Sequence, residues 1–252
     1  MSNATFQYIV YCWIGLAIIT FFSLFFVTAP FGRHSSNNWG PMINARLGWM
    51  IMELPSPLIL SYFFFSGKTS PNTVTLVFWS LWMLHYFNRT VIYPIRQRDH
   101  SKKMPVMIMG SAIFFNIMNG FVNGYFLGNY ADLYHESWFG SPQFIIGTFV
   151  FLSGVFINIK SDNILLNLRK PGETAYKIPE GGLFKYISCP NLFGEIIEWA
   201  GFAIMVWALP ALSFAVWTFA NLVPRAIAHH KWYLNKFDEY PKERKAFIPF
   251  LW

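Results

Sequence analysis

Long apolar runs separated by short polar stretches set the pattern of this chain. Runs near 7–29, 44–66, 73–94, 105–127, 143–159, 194–210 and 211–228 approach the ~20 residues that a bilayer core requires. They predict an all-α, polytopic membrane protein with about seven transmembrane helices. The fifth run is short and little more than Pro210 parts the last two, so length alone leaves six or eight spans open. Pro55 and Pro57 remove two backbone donors in the second run, which predicts a kink or break there. In the fourth, Gly120, Gly124 and Gly128 recur every four residues and predict a face for close helix packing. With no low-complexity stretch, flexible linker or clear repeat, residues 1–252 read as one membrane domain.

Composition agrees with the pattern. The chain is 54% hydrophobic and 12% charged, against about 25% charged for a soluble domain. A net charge of +7 would suit nucleic acid, but the basic residues flank the spans. With the N-terminus outside, the inner segments take Arg33 and Arg46, then Arg96, Arg98, Lys102 and Lys103. They also take Lys160, Arg169, Lys170, Lys177 and Lys185, and the tail from Arg225 onward; the outer segments take Lys68. The positive-inside rule therefore predicts an outer N-terminus, a cytoplasmic C-terminus and a cytoplasmic 160–193 segment. That segment, rich in Pro and Gly from Leu168 to Phe184, has the character of a loop that covers a site. Cys12 and Cys189 fall at opposite ends of this topology and make no disulfide framework, and no metal-ligand spacing exists.

Against this background several polar residues stand out. Glu53 sits in the middle of an apolar run, where an ionised carboxylate costs several kcal/mol unless it is paired or protonated. Tyr86, Arg89 and Tyr93 are spaced i, i+3, i+7 in the third run, a donor-rich face suited to anions or carbonyls. Asn158 and Asp162 close the fifth span and precede Arg169. Asn191, Glu195 and Glu198 share one stripe, and Arg225, His229 and Tyr233 another at the end of the last span. Each cluster alone is compatible with decoration of a helix end. Four of them at cytoplasmic ends together predict a polar cavity opening inward. Cations suit phosphates, while carboxylates and amides suit ribose hydroxyls. That mixture describes a dinucleotide better than an inorganic ion, although no Gly-rich Rossmann fingerprint or P-loop is present.

The chain resembles the steroid 5α-reductase family over nearly its full length. The resemblance is carried by Glu53-Leu54-Pro55-Ser56, His85 to Thr90, Asn158 to Asp162, Leu168 to Glu173, Tyr176 to Pro179, Gly181 to Phe184, Asn191 to Trp199 and Tyr240 to Phe250. It is closest to the true 3-oxosteroid reductase branch. The resemblance implies a seven-helix fold, NADPH as cofactor, and reduction of the Δ4 double bond of a 3-oxosteroid. It implies that Glu53 and Tyr86 hold the 3-oxo group. It implies cofactor contacts from Arg89, Tyr93, Asn158, Asp162, Arg169, Tyr176, Asn191, Glu195, Arg225, His229 and Tyr233, with Glu198 as a buttress. An apolar site favours the protonated form of Glu53, which can donate to the enolate oxygen that forms on hydride attack. The chain departs from the family at Phe31, where a Tyr can stand, at Asn88 in place of a His, at Ala228 in the C-terminal His run, and in the basic 96–103 segment. The competing readings are a polyprenol or trans-2-enoyl thioester reductase, a membrane methyltransferase using S-adenosylmethionine, and a transporter. The preferred reading has a lipid bilayer and a steroid as partners, no nucleic acid and no obligate protein partner, as a monomer. Its membrane is the endoplasmic reticulum in a eukaryote or the inner membrane in a bacterium.

Overall fold

The computed structural model describes residues 1–30, 32–99, 101–170, 173 and 175–251. Phe31, with its expected missing hydroxyl, lies outside the described residues, as do His100, Pro171, Gly172, Thr174 and Trp252. Helices α1 (Asn3–Phe26), α2 (Ala45–Glu53), α3 (Pro55–Phe65), α4 (Thr73–Phe87) and α5 (Tyr93–Arg96) come first in chain order. They are followed by α6 (Val106–Asn129), α7 (Pro142–Asn167), α8 (Pro190–Val206) and α9 (Leu209–Lys236). A two-stranded ribbon pairs β1 (Met42–Asn44) with β2 (Lys103–Pro105). Among the described residues, five helical segments have the length and hydropathy to cross a membrane: Asn3–Phe26, Ala45–Phe65, Val106–Asn129, Pro142–Asn167 and Leu209–Lys236. The remaining two expected spans are Thr73–Arg96, interrupted by a π turn, and the 17-residue α8.

Several boundaries differ from those expected, each for a local reason. Asn158 and Asp162 lie inside α7, which continues to Asn167, so the fifth run is longer than its apolar part. The last two helices part at Trp207 and Ala208 rather than at Pro210. Trp207 adopts a left-handed φ of 51°, and Pro210 sits in the first turn of α9, where a missing N–H costs nothing. The ribbon has no long alternating pattern to announce it. It is antiparallel, with Ile43 opposite Met104, and it packs Met104 against Trp49 and Met52 in the second half of α2.

Contacts divide the chain into two compact units, Ala29–Ile145 and Met1–Thr28 with Ile146–Trp252. In the first, α3 lies along the glycine face of α6. A Cβ on Gly124 would meet the Leu60 carbonyl oxygen at 2.5 Å, and one on Gly128 the Phe63 oxygen at 2.3 Å, so the backbones touch only because those positions lack side chains. Asn72 caps α4 in a reciprocal capping box with Thr75. Its amide also donates to the carbonyls of Ala131 at 2.9 Å and Tyr134 at 2.8 Å.

In the second unit α1 packs on α9, where the Trp217 indole donates to the Trp13 carbonyl at 2.9 Å. Helices α7 and α8 meet through glycines seven residues apart, Gly147 and Gly154 on one and Gly194 and Gly201 on the other. A Cβ on Gly154 would lie 2.2 Å from the Glu198 nitrogen, and one on Gly194 2.5 Å from the Asn158 nitrogen. Trp199 fills the space beside this contact, 4.1 Å between ring centroids from Phe214.

Candidate active site

Glu53 is the last residue of α2, and the break expected at the two prolines falls at Leu54. Pro55 and Pro57 stand four residues after Ile51 and Glu53, so neither carbonyl can receive the usual helical N–H. Between them the Met52 carbonyl accepts a hydrogen bond from the Asn116 amide at 2.6 Å. The same amide nitrogen lies 3.4 Å from Glu53 Oε2. On α4, Tyr86 is buried and its hydroxyl donates to Asn116 Oδ1 at 3.3 Å. The Tyr86 ring stacks on Trp82, 5.5 Å between centroids. The structure thus gathers the two expected carbonyl-holding residues on a third, Asn116, which the sequence reading does not single out. Its signal is an amide at an otherwise apolar level of α6, one turn before Gly120 on the helix-packing face.

Arg89 and Tyr93 belong to the same unit, but not to one α-helical stripe with Tyr86. A π turn spans Asn88–Ile92, and the Tyr93 N–H bonds to the Asn88 carbonyl five residues back. Pro94 is the cause, because its ring would crowd the Thr90 carbonyl in a regular α turn. Pro94 also has no N–H to give the Arg89 carbonyl, and the Trp49 indole reaches it at 3.0 Å. The Arg89 guanidinium carbon sits 4.7 Å from the Trp49 ring centroid and 5.0 Å from that of Tyr93. Trp49 is a second residue that sequence reading misses, foreshadowed only by the proline five positions after Arg89.

The remaining predicted residues lie in the second unit. The close glycine contact sets Asn158 and Asp162 on α7 beside Asn191 on α8. The Asn158 amide donates to the Asn191 carbonyl at 2.9 Å, and the Asn191 amide to Asp162 Oδ1 at 3.1 Å. Asn158 and Asp162 are buried, Asn191 and Glu195 half-buried, and Glu198 is buried one turn deeper in α8. Arg169, just beyond α7, places its guanidinium carbon 5.3 Å from the Tyr176 ring. Tyr176 in turn meets Trp232 of α9 edge-on at 4.9 Å, another contact absent from the sequence reading. Arg225 and His229 are half-buried along α9. Tyr233 is buried, with its ring parallel to Tyr240 at 5.1 Å.

The segment after Asn167 is stitched down by its own contacts. The Glu173 carboxylate accepts from the Lys170 backbone N–H at 2.9 Å and pairs with Lys177. These partners hold its carboxyl below the ordinary range, the Lys177 side chain most of all. The C-terminal tail closes over the same region. Arg244 donates to the Pro179 carbonyl at 3.0 Å, the Ser188 N–H to the Lys245 carbonyl at 2.9 Å, and the Ser188 hydroxyl lies 2.6 Å from both His230 Nδ1 and the Tyr240 hydroxyl. Among these groups are donors for anions, in Arg169 and Arg225, and acceptors for hydroxyls, in Asp162 and Glu195. The set fits the phosphates and riboses of a dinucleotide.

The model of the family described as 3-oxo-5-alpha-steroid 4-dehydrogenase matches residues 102–252. Steroid 5-alpha-reductase DET2 of Gossypium hirsutum is 41% identical over 249 residues, 96% of each chain. DET2 of Arabidopsis thaliana is 42% identical, covering 90% of this chain and 89% of its own. The 3-oxo-5-alpha-steroid 4-dehydrogenase 1 of Homo sapiens is 43% identical over 226 residues, 88% of this chain and 85% of its own. This membrane protein belongs to the 3-oxo-5-alpha-steroid 4-dehydrogenase family.

Proposed function

We propose that the protein reduces the Δ4 double bond of a 3-oxosteroid to the 5α-dihydro product, with NADPH as reductant. Membership of a family whose relatives are named steroid 5-alpha-reductases supports the reaction class. The observation that carries the chemistry is the pairing of Glu53 and Tyr86 on one buried amide at a helix break. Bound NADPH would supply a hydride to the β carbon of the enone, and a proton from water would complete the reduction at the α carbon. Negative charge then develops on the 3-oxo oxygen, and a site that catalyses this step must aim donors at that oxygen. Glu53 in its protonated form and the Tyr86 phenol are those donors. Arg169 and Arg225 would hold phosphates, and Asp162, Asn191 and Glu195 the ribose and nicotinamide side, with Asn158 fixing the Asn191 backbone. Arg89, Tyr93, Tyr176, His229 and Tyr233 complete the proposed cofactor contacts. The cofactor residues face the cytoplasm in this reading.

The test is purified protein in detergent with NADPH and progesterone, scored for the 5α-dihydro product. Wild type is expected to form it. Glu53→Gln is expected to keep NADPH-induced thermal stabilisation while kcat falls by about 10²–10³-fold, the usual cost of one oxyanion donor. Near-normal kcat/KM in Glu53→Gln removes Glu53 from catalysis. Stabilisation by NADPH without product redirects the reaction to enoyl or polyprenol substrates.

A further inference from the structure

We infer that Asn116 is a positioning residue of the reductase site, fixing both carbonyl-binding side chains through one planar amide. The inference rests on the roles proposed for Glu53 and Tyr86. Asn116 is 3% exposed, and its two polar atoms meet three groups: the Met52 carbonyl at 2.6 Å, Glu53 Oε2 at 3.4 Å and the Tyr86 hydroxyl at 3.3 Å. The first of these settles which way the amide points. A carbonyl oxygen only accepts, so the atom facing Met52 is the NH2 group. Its second hydrogen is then the one directed at Glu53 Oε2, and the oxygen is left to Tyr86. Because the amide is planar, neither contact can rotate away without breaking the short bond to Met52.

Two consequences follow for the chemistry. Donation to Oε2 makes that oxygen the acceptor, so Glu53 carries its proton on Oε1 when it acts as a donor. The Tyr86 hydroxyl, tethered through its proton to Asn116 Oδ1, is held at one distance from Glu53 and turns that proton onto the substrate oxygen when one arrives. The Met52 carbonyl anchors this arrangement to the α2–α3 break itself. Asn116 needs no contact with the steroid to act in this way.

Asn116→Leu, which keeps the branching at Cγ but is bulkier, removes all three hydrogen bonds. In detergent with NADPH and progesterone, kcat is expected to fall about 10- to 100-fold, the scale of a misplaced catalytic group. KM for NADPH and NADPH-induced stabilisation should stay within about twofold, because the cofactor residues are untouched. A double-mutant cycle with Tyr86→Phe separates positioning from a general loss of structure. If Asn116 acts through Tyr86, the double variant loses little more than the worse single one. Independent multiplication of the two losses overturns the inference, as does a folded Asn116→Leu with kcat within about twofold of wild type. Should Asn116→Leu itself fail to bind NADPH, Asn116→Ser, smaller and still polar, repeats the cycle under the same criteria. Glu53→Gln is run alongside. Full activity there defeats the parent reading, whereas collapse there with an inert Asn116→Leu defeats this inference alone.

Discussion

Arg169 follows the polar end of α7 with its guanidinium laid over Tyr176, and Tyr176 leans on Trp232. The stack itself contributes on the order of 0.5–1 kcal/mol at an exposed site. A charge-assisted bond from the same guanidinium to a phosphate would contribute about 1.5–3 kcal/mol, so the proposed ligand contact would outweigh the stack. Arg169→Ala should therefore raise KM for NADPH by about tenfold or more with kcat little changed, as expected for binding that is equal in ground and transition states. Tyr176→Phe keeps the ring stack and should raise KM for NADPH far less than Arg169→Ala. An unchanged KM in Arg169→Ala would leave that side chain as an interface anchor. Glu173 offers a pH test of the same segment. Its carboxyl is held low by Lys177 and the Lys170 N–H, so the order it lends is full above the ordinary carboxylate value of 4.5 and is lost as pH falls through the lowered one. Hydrogen exchange of the Lys170 amide should be faster in Glu173→Gln than in wild type at pH 7, and the two should converge once the pH falls below the lowered carboxylate value. Both residues are visible in the sequence as charges in a turn-rich segment. What the sequence hides is their pairing across turns and rings, because residues such as Trp232 carry no chemical signal of their own.

At the level of helices, the two glycine contacts make different demands on function. On α6, Gly124 meets Leu60 backbone atoms that cannot swing aside, and a methyl there must separate α3 from α6. Gly124→Ala should cost about 1–3 kcal/mol, the range for overpacking, read as a lower unfolding midpoint in detergent. Gly110→Ala on the same helix has nothing within 4 Å of the new Cβ and should not destabilise. On α7 and α8, the glycine contact also aligns Asn158 and Asp162 with Asn191. Gly154→Ala should raise KM for NADPH as well as lower stability; stability lost with KM intact would detach these amides from the cofactor. The spacing of four in Gly120, Gly124 and Gly128 is a familiar packing signature and is legible in the sequence. The spacing of seven in Gly147 and Gly154, matched by Gly194 and Gly201, is not, since it shows only when the partner helix is known. The break at Leu54 is equally legible, because two prolines remove fixed donors. The π turn before Pro94 is less so, since one proline near a helix end can kink, stop or widen it. The β1–β2 ribbon leaves no signal, being three residues a side and defined by its partner.

For the whole molecule, charge argues which way the helices run through the bilayer. Among the described residues five helices have the length and hydropathy of spans, and Thr73–Arg96 and α8 are the two further segments expected to cross. With seven crossings the termini lie on opposite sides, and the proposed cofactor residues sit near basic segments: Arg96 at the end of α5, Arg169 after α7, Lys236 at the end of α9. The segment 130–141 carries Asp132 and Glu136 and no Lys or Arg, so the positive-inside rule predicts it on the opposite side. The cytoplasm is also where a soluble nicotinamide cofactor would have to reach those arginines. Single cysteines placed at Glu136 and at Lys177, in a Cys12→Ser background, convert this into a measurement; Cys189 is buried and should stay silent. A membrane-impermeant maleimide applied to intact, sealed vesicles of known orientation should label position 136 from the side opposite the cytoplasm, and position 177 only after the bilayer is opened. NADPH should then slow labelling at 177, which adjoins Tyr176, and leave 136 unchanged. Labelling of both positions from one side would require an even number of crossings between them. That would break the seven-span topology, because α7 is the one long apolar helix that separates Glu136 from Lys177.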